Sequence, residues 1–309
     1  MRITKETACI IDDMKEPTGT TLMAAGALLL PLVDGAAKEL GTTHSPWMLG
    51  WARYAIAAAL LLPFLYRGRT KIAARSIPVH LMRTALLTAA MTCYFIALQH
   101  VPLVTAVTAY FVGPILAMIL GVAVLGEPLT SRKVISGTAG SAGVWVVTGP
   151  SAGFDAGVLL ALAAGGLYAL YLIALRAPTR TAGPEVDPAT TLAIQCLLAT
   201  ILLAPAATAT WTTPTTGEIW LFGTLGGLSV VSQGLTIAAL AKAEASTLAP
   251  LVYLELVGAA AVGLLFFQET PTPQTVLGAI IIIAASLTLT RGRCAHRTQP
   301  VTRPPEAVP

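Results

Sequence analysis

The sequence predicts an all-α membrane protein of ten transmembrane helices, built as two inverted five-helix repeats with both termini in the cytoplasm. Three observations predict this fold: an apolar composition, positive charge confined to one side of the predicted spans, and an internal repeat. Of the 309 residues, 55% are hydrophobic and 11% are charged, which lies outside the usual range of soluble globular proteins. A bilayer core requires roughly 20 apolar residues per helix, so ten spans fit this chain with short connections.

Ten apolar segments, bounded by proline, glycine and charged residues, are the predicted spans. Their lengths match the roughly 17 to 25 residues with which a helix crosses a bilayer. The first follows a polar leader without a small-residue cleavage site, so we expect it to remain attached. In chain order the spans lie at 21–40, 47–66, 79–98, 102–124, 132–148, 155–175, 190–207, 218–240, 247–267 and 273–290.

The basic residues lie on one side of this arrangement. If the N-terminus is cytoplasmic, all but three of the 19 Lys and Arg residues fall in cytoplasmic segments, and Lys38, Arg53 and Arg83 fall within spans. Solvated loops that were simply basic would carry positive charge on both sides. The asymmetry therefore predicts that both termini lie in the cytoplasm. We expect a multi-pass protein of the cell inner membrane.

The same residues argue against other classes of partner. The Lys and Arg residues form no basic patch interleaved with aromatic residues, so we expect no nucleic-acid binding. The cysteines show no C-x-x-C or metal-ligand spacing, which predicts free thiols and no disulfide framework. They are Cys9, Cys93, Cys196 and Cys294. We also expect no metal site and no cofactor.

An internal repeat divides the chain in two. A shift of 142 positions aligns the chain with itself from about residue 53 to 148 without a gap; Glu127-x-x-Thr130 then matches Glu269-x-x-Thr272. Because each unit holds an odd number of spans, the second copy crosses the membrane in the opposite sense, as in many secondary transporters. The predicted divisions are a cytoplasmic leader at 1–20, repeats at 21–148 and 155–290, a linker at 149–154 and a disordered cytoplasmic tail at 291–309.

Several segments carry a family resemblance over about residues 21 to 290. They are Pro31-Leu-Val-Asp-Gly-Ala-Ala-Lys38, Gly113-Pro114, Leu125-Gly-Glu-Pro-Leu-Thr130, Gly166-Leu-Tyr-Ala-Leu-Tyr171, Leu254-Glu255 and Gln268-Glu-Thr-Pro-Thr-Pro273. In order, spacing and duplication they resemble the EamA-type transporters of the drug/metabolite transporter superfamily. The chain departs from the common pattern at Leu256, where proline is frequent, and at Tyr168, where tryptophan is frequent.

The resemblance implies a secondary active transporter that moves a small polar metabolite across the cytoplasmic membrane, most often exporting an amino acid or a derivative. Uptake of a vitamin or nucleoside-like compound, of the riboflavin or S-adenosylmethionine type, is the alternative within transporters. A membrane receptor or assembly protein without transport is a second alternative. The chain has no H-E-x-x-H, G-x-S-x-G or G-x-x-x-x-G-K-[ST] motif, so we expect neither an enzyme nor an ATP-driven pump.

Ionisable residues within the spans are the first candidates for the substrate site, because a charge in a bilayer normally faces the protein interior or water. Asp34 and Lys38 are four residues apart, which favours an ion pair on one helix face. Arg53 lies at a matching depth in the next, antiparallel span. The hypothesis is a polar cluster of these three residues that contacts substrate or acts as a gate; a fixed structural ion pair is the alternative.

Glu255 lies near the middle of the ninth span, where transporter sites usually lie. It is the best single candidate for substrate binding or for coupling to protons; a structural, hydrogen-bonded glutamate is the alternative. Gln195 and Gln233 are also mid-span and either line a cavity or hydrogen-bond between helices. Aromatic candidates with a polar tip are Tyr94, Tyr110, Tyr168 and Tyr253, each a possible ligand contact or a packing residue.

Overall fold

The structure is a computed structural model that describes residues 17–67, 77–126, 131–148, 155–176, 188–242 and 248–296. These residues form helices and connections and contain no β-strand. Most of the predicted leader, the linker at 149–154, the first copy of the repeated motif at 127–130 and the end of the predicted tail lie outside the described residues. The expectation of an all-α protein is confirmed for the part of the chain that the structure describes.

The described residues form ten helical segments. They are α1 Pro17–Leu40, α2 Pro46–Arg67, α3 Ile77–Leu98, α4 Leu103–Leu125, α5 Ser131–Thr148, α6 Ala156–Arg176, α7 Pro188–Ala209, α8 Ile219–Leu240, α9 Leu254–Phe267 and α10 Pro273–His296. Over these residues, α1, α3, α4, α6, α7 and α8 are long and apolar enough to cross a membrane, and shorter apolar helices lie at Leu251–Phe267 and Pro273–Ala284. Ten spans and cytoplasmic termini stay predictions.

Helix α10 is longer than the sequence pattern predicted. It continues to His296, into the segment expected to be a disordered tail. No proline occurs after Pro273 until Pro300, so nothing in the sequence forces this helix to stop at the predicted boundary.

Three helices contain irregular turns. Helix α4 is interrupted at Phe111, because Pro114 has no N–H group to donate to the carbonyl group of Tyr110. Helix α8 contains a π-helical turn at Thr224–Leu228, and a 3-10 turn at Ala249–Tyr253 precedes α9. Pro114 in α4 and Pro250 in the 3-10 turn before α9 thus coincide with irregular backbone.

Helices α4 and α9 end in the same way. Gly126 and Gln268 take the left-handed conformation, with φ of 67° and 54°. Their N–H groups donate to the carbonyl oxygens of Gly121 and Gly263 respectively, a common helix ending. Each residue of the second ending lies 142 positions after its counterpart in the first.

Contacts between the two halves of the chain are reciprocal. The closest-packed pairs are α5 with α10, α2 with α7, α3 with α6 and α1 with α8, followed by α4 with α6 and α9 with α1. Exchanging each helix for the one five places away maps α3–α6 onto α8–α1 and α4–α6 onto α9–α1. The other two pairs map onto themselves. We call α1, α8 and α9 the α1 bundle, and α6, α3 and α4 the α6 bundle.

Each bundle contains a helix contact that leaves no room for a side chain. In the α6 bundle, a Cβ atom on Gly113 would lie 2.8 Å from the carbonyl oxygen of Gly165. In the α1 bundle, a Cβ atom on Gly258 would lie 2.7 Å from Cγ of Pro31. Small residues at such contacts are typical of helices that pack within a bilayer.

One end of the molecule is densely packed. We call it the closed end; it carries the α1–α2, α3–α4, α7–α8 and α9–α10 connections. Leu40, Leu49, Leu98 and Leu103, which lie beside these connections, are at most 1% exposed. The predicted topology places this end outside the cell.

Candidate functional site

A cavity of about 320 Å³ lies between the two bundles and helices α2 and α7. Its walls come from eight of the ten helices of the described residues, with α5 and α10 packed against each other outside it. The cavity begins below the closed end and extends towards the opposite end. Met23, Leu192 and Thr236 line this part of the cavity. At a rise of about 1.5 Å per residue, each lies within about 9 Å of the end of its helix that is farther from the closed end.

Three charged side chains line this cavity: Asp34, Arg53 and Glu255. Asp34 and Arg53 are only 4% and 6% exposed, and Glu255 is partly exposed to the cavity. Arg53 interacts electrostatically with both carboxylates, and the carboxylates interact with each other. Within the described part of the chain, no three His, Cys, Asp or Glu side chains are placed to hold a metal ion.

The hydrogen bonds of Asp34 and Arg53 differ in strength. Tyr94 donates from its hydroxyl group to Oδ2 of Asp34 at 3.0 Å. Nη1 of Arg53 donates to the thioether sulfur of Met91 at 3.0 Å, and the guanidinium lies 5.8 Å from the ring centre of Phe95. A thioether is a weak acceptor, whereas a guanidinium has five N–H donors. Among the described residues, the contacts of Arg53 therefore leave donors for an anionic ligand.

Four tyrosines form a continuous row along the α6 bundle side of the cavity. The distances between ring centres are 5.1 Å for Tyr94 and Tyr110, 5.3 Å for Tyr110 and Tyr168, and 5.8 Å for Tyr168 and Tyr171. All four line the cavity. This side is therefore aromatic, a surface that suits flat rings and cations.

The α1 bundle side is acidic and polar. In addition to Asp34 and Glu255, it contributes Ser232, Gln233 and Thr236. Ser232 donates from its hydroxyl group to the carbonyl oxygen of Gly26 at 2.8 Å, which ties α8 to α1. The cavity is thus chemically asymmetric, with carboxylates facing tyrosines.

The two predicted glutamines both line the cavity. Gln195 also bonds to a neighbouring helix, because Nε2 donates to the hydroxyl oxygen of Tyr171 at 3.1 Å. It therefore combines the two roles that the sequence left open.

Repeat-related positions meet in this cavity. Five pairs of its lining residues are separated by 142 positions: Arg53 and Gln195, Tyr54 and Cys196, Met91 and Gln233, Tyr94 and Thr236, and Tyr110 and Val252. The same shift was found from sequence identity alone. Residue types at these pairs differ, so the two halves contribute equivalent positions but different chemistry.

A model of the EamA-like transporter family matches the chain twice, over residues 17–149 and 155–291. The chain belongs to this family. The resemblance seen in the sequence is thereby confirmed, and so is the location: this EamA-family protein is a multi-pass protein of the cell inner membrane.

Similar proteins of known name are transporters. The chain is 29% identical over 281 residues to an S-adenosylmethionine uptake transporter of Rickettsia bellii, covering 89% of this chain and 95% of that protein. It is 28% identical to a riboflavin transporter of Brucella anthropi, covering 87% and 97%. It is 21% identical to a pseudopaline exporter of Pseudomonas aeruginosa, covering 91% and 98%.

A solved crystal structure has a similar fold. It superposes with a TM-score of 0.59 at 19% sequence identity, covering 91% of this chain and 99% of that chain. At this identity the similarity concerns the fold alone. The EamA-family fold of the described residues thus has an experimental counterpart.

Eight of the ten predicted site residues line the cavity, and two do not. Lys38 does not join Asp34 and Arg53; its Nζ lies 2.5 Å from Oε1 of Glu269 and donates to the carbonyl oxygen of Val101 at 2.7 Å. The expected three-residue cluster is therefore replaced by a pair at the cavity and a separate ion pair at the closed end. The reason is that the side chain of Lys38, four residues further along α1, reaches the α3–α4 and α9–α10 connections.

Tyr253 is the second predicted residue outside the cavity. Its ring packs against Phe111, with 5.4 Å between ring centres. It lies in the 3-10 turn before α9, and its neighbour Val252 lines the cavity instead. Val252 lies three residues before Glu255 and shares its face, whereas Tyr253 lies two residues before Glu255 and points elsewhere.

Sequence reasoning missed several lining residues, among them Tyr54, Met91, Ser232 and Thr236. Tyr54, Met91 and Thr236 are the 142-position counterparts of cavity residues. Combining the repeat with the candidate list would have found Met91 and Thr236 from Gln233 and Tyr94. Ser232 had no such signal, because its counterpart is an alanine.

A second polar cluster lies at the closed end and joins the α1–α2 and α7–α8 connections. His44 contacts Thr212 and Glu218 at 2.5 Å and 3.3 Å, and Thr43 donates to Glu218 at 2.9 Å. Donation from the N–H and hydroxyl groups of Thr215, and from Thr43, lowers the pKa of Glu218 to about 2. This carboxylate is therefore charged at physiological pH.

Proposed function

We propose that this protein is a secondary active transporter that carries a small zwitterionic, amino-acid-derived metabolite by alternating access. The observation that carries the proposal is the cavity between two helix bundles, in which a buried guanidinium and two carboxylates face a row of tyrosines. Its volume of about 320 Å³ falls within the roughly 300–1,000 Å³ of small-molecule sites.

Two inverted repeats are part of the proposal, with ten spans and both termini in the cytoplasm. The reciprocal helix contacts, the matching ends of α4 and α9 and the five repeat-related pairs in the cavity support a twofold relation. The two matches of the family model support one unit in each half. Sites between such repeats are typical of transporters that alternate between two open states.

The charges of the cavity support one class of substrate. Arg53 is placed to bind a carboxylate in the two-pronged manner of guanidinium groups. Asp34 and Glu255 are placed to bind an ammonium group, and the tyrosine row suits a further cation or a flat ring. S-adenosylmethionine has a carboxylate, an ammonium, a sulfonium and an adenine ring, and it is the compound named for the Rickettsia bellii relative. We therefore propose this compound class.

The proposed direction is uptake rather than the export that the family resemblance implied. The uptake relative is more similar, at 29% identity, than the exporter, at 21%. Glu255 is the proposed site of coupling to protons, since it faces both the cavity and the other two charges.

Counterflow in proteoliposomes tests the proposal. Purified protein is reconstituted with unlabelled S-adenosylmethionine inside, and entry of the labelled compound is compared with that of its decarboxylated form. We expect transient accumulation of the labelled zwitterion, with a KM about tenfold or more higher in Arg53→Gln and a smaller change in Arg53→Lys. Arg53→Gln should also lose the preference over the decarboxylated compound.

Controls separate a substrate contact from a general defect. Glu39→Gln removes an exposed charge near the end of α1 and should leave counterflow unchanged. Glu255→Gln should lose acceleration by a pH gradient, and its counterflow should require a higher substrate concentration, because only Asp34 then remains to bind the ammonium group. Absence of counterflow for every zwitterion would contradict the proposal. So would an Arg53→Gln variant that still prefers S-adenosylmethionine over its decarboxylated form as strongly as the unmodified protein does.

A flat, uncharged heterocycle is the second candidate substrate. The tyrosine row favours it, and the Brucella anthropi relative is named a riboflavin transporter. For such a substrate, Tyr110→Ala should abolish counterflow, whereas Arg53→Gln should leave it unchanged.

A further inference from the structure

Two oppositely charged residues of the α1 bundle form hydrogen bonds with a turn of the α6 bundle at the closed end. Lys38 lies near the end of α1, and Glu269 follows α9. Nζ of Lys38 donates to the carbonyl oxygen of Val101 at 2.7 Å. The N–H group of Leu103 donates to Oε2 of Glu269 at 2.8 Å. The α3–α4 turn is therefore bound through its backbone on both sides.

The bond to Leu103 caps a helix from another bundle. Leu103 is the first residue of α4, and the N-cap residue Pro102 provides no side-chain hydrogen bond. The first N–H groups of a helix have no partner within the helix, and its N-terminus attracts negative charge. Glu269 supplies both the missing acceptor and the charge.

Burial makes these two bonds hard to replace. Val101 and Leu103 are 4% and 0% exposed, and an unpaired backbone group in such a place is costly. Lys38 also lies 5.6 Å from the ring centre of Phe267, which holds the ammonium on the α1 bundle. The closed end can separate only if water or another group replaces Lys38 and Glu269.

We infer that Lys38 and Glu269 form a latch between the bundles, which holds the cavity shut at the closed end and releases when the cavity opens there. This inference rests on the proposed alternating access. The latch consists of the ion pair and the two backbone bonds to the α3–α4 turn. Release would let the α6 bundle move away from the α1 bundle while each keeps its internal glycine contacts.

Access of a thiol reagent to the cavity tests the latch. Leu30 lines the cavity on α1 and is partly exposed, so Leu30→Cys is introduced with the four native cysteines replaced by alanine. A membrane-impermeant maleimide is applied to right-side-out and inside-out vesicles. With the latch intact, we expect labelling from the side opposite the closed end and slow labelling from the closed-end side.

Neutralising either charge of the latch should change the labelling rate from the closed-end side only. Glu269→Gln should raise the labelling rate from the closed-end side about tenfold, since a charge-assisted hydrogen bond is lost. Lys38→Met should act in the same direction. An unchanged rate from the opposite side shows that each variant is folded. The control Glu218→Gln removes a carboxylate at the same end whose contacts are with Thr43, His44 and Thr215, and it should leave both rates unchanged.

A charge exchange distinguishes the latch from a simple ion pair. The double variant Lys38→Glu, Glu269→Lys restores the attraction between the side chains but turns an ammonium towards the N–H group of Leu103. We expect labelling from the closed-end side to remain fast. Slow labelling in the exchange variant, or rates in Glu269→Gln equal to those in Glu218→Gln, would overturn the latch.

These measurements are separate from the test of transport. Labelling of Leu30→Cys requires no transported compound. If labelling responds to Glu269→Gln but no zwitterion shows counterflow, the latch stands and the proposed substrate class fails. If counterflow occurs and labelling does not respond, the proposed function stands and the latch fails.

Discussion

At the scale of single residues, Asp34 shows how a carboxylate is accommodated deep in an apolar protein. It lies in α1, is 4% exposed and accepts a hydrogen bond from Tyr94 of the other bundle. A buried ionised group is tolerated when it has a hydrogen-bond donor and a nearby opposite charge. Tyr94 is the donor, and Arg53 is the charge that shares the cavity.

The bond between Tyr94 and Asp34 should contribute measurably to stability. Tyr94→Phe leaves the carboxylate without this donor, and we expect a loss of about 1–3 kcal/mol in the free energy of unfolding. Thermal unfolding in detergent of Tyr94→Phe, Asp34→Asn and the double variant forms a double-mutant cycle. The double variant should be less destabilised than the sum of the single variants; strict additivity would show that the two groups are not coupled.

Lys38 shows the limit of residue-level prediction. Spacing along a helix identified Asp34 as a neighbour, because residues four apart share a face. Its partners in the structure are Glu269 and Val101, which are distant in the chain. Helical periodicity carries no information on contacts that arise only when separate connections meet.

At the scale of secondary structure elements, close helix contacts hold each bundle together. The crossing of α4 and α6 leaves no room for a further side chain, because a Cβ atom on Gly165 would lie 2.7 Å from the carbonyl oxygen of Tyr110. Tyr110 is also the last residue before the interruption of α4 at Phe111, and it contacts two other tyrosines of the row. The contact therefore positions part of the cavity wall.

Neighbouring glycines of α6 provide a matched test of this contact. Gly165→Ala should lower the free energy of unfolding by about 1–3 kcal/mol, because the added methyl group meets backbone atoms that have no room to move. A Cβ atom on Gly166 would meet nothing within 4 Å, so Gly166→Ala should be neutral or stabilising by up to about 1 kcal/mol. Thermal unfolding of both variants in detergent checks this; equal effects would contradict the close contact.

At the scale of the whole molecule, two bundles of three helices enclose a cavity that is shut at one end. Exchanging the α1 and α6 bundles preserves the pattern of helix contacts, which supports the proposed repeat relation. Their contacts include the Lys38 and Glu269 latch at the closed end and the bond between Tyr94 and Asp34 at the cavity. The far end of the cavity approaches the opposite ends of α1, α7 and α8.

The orientation in the membrane can be tested with reporter fusions. The distribution of Lys and Arg predicts that the α7–α8 connection lies outside the cell and the α6–α7 connection inside. Alkaline phosphatase fused after Thr212 should be active, and the same reporter fused after Ala182 should be inactive. Green fluorescent protein at these points should give the opposite pattern. A cytoplasmic signal after Thr212 would contradict the predicted topology.

The sequence by itself determined the class of protein and the family and predicted the repeat, because composition, charge distribution and periodicity are properties of a chain read in one dimension. It also identified Asp34, Arg53 and Glu255, since a charge inside an apolar segment is conspicuous without a structure. Only the tertiary structure decided which side chains share the cavity and which close its end. The row of tyrosines comes from three helices, and the latch joins connections from both halves of the chain. Contacts between residues that are distant in the chain depend on how helices pack against one another, and the spacing of residues along one helix does not reveal that packing.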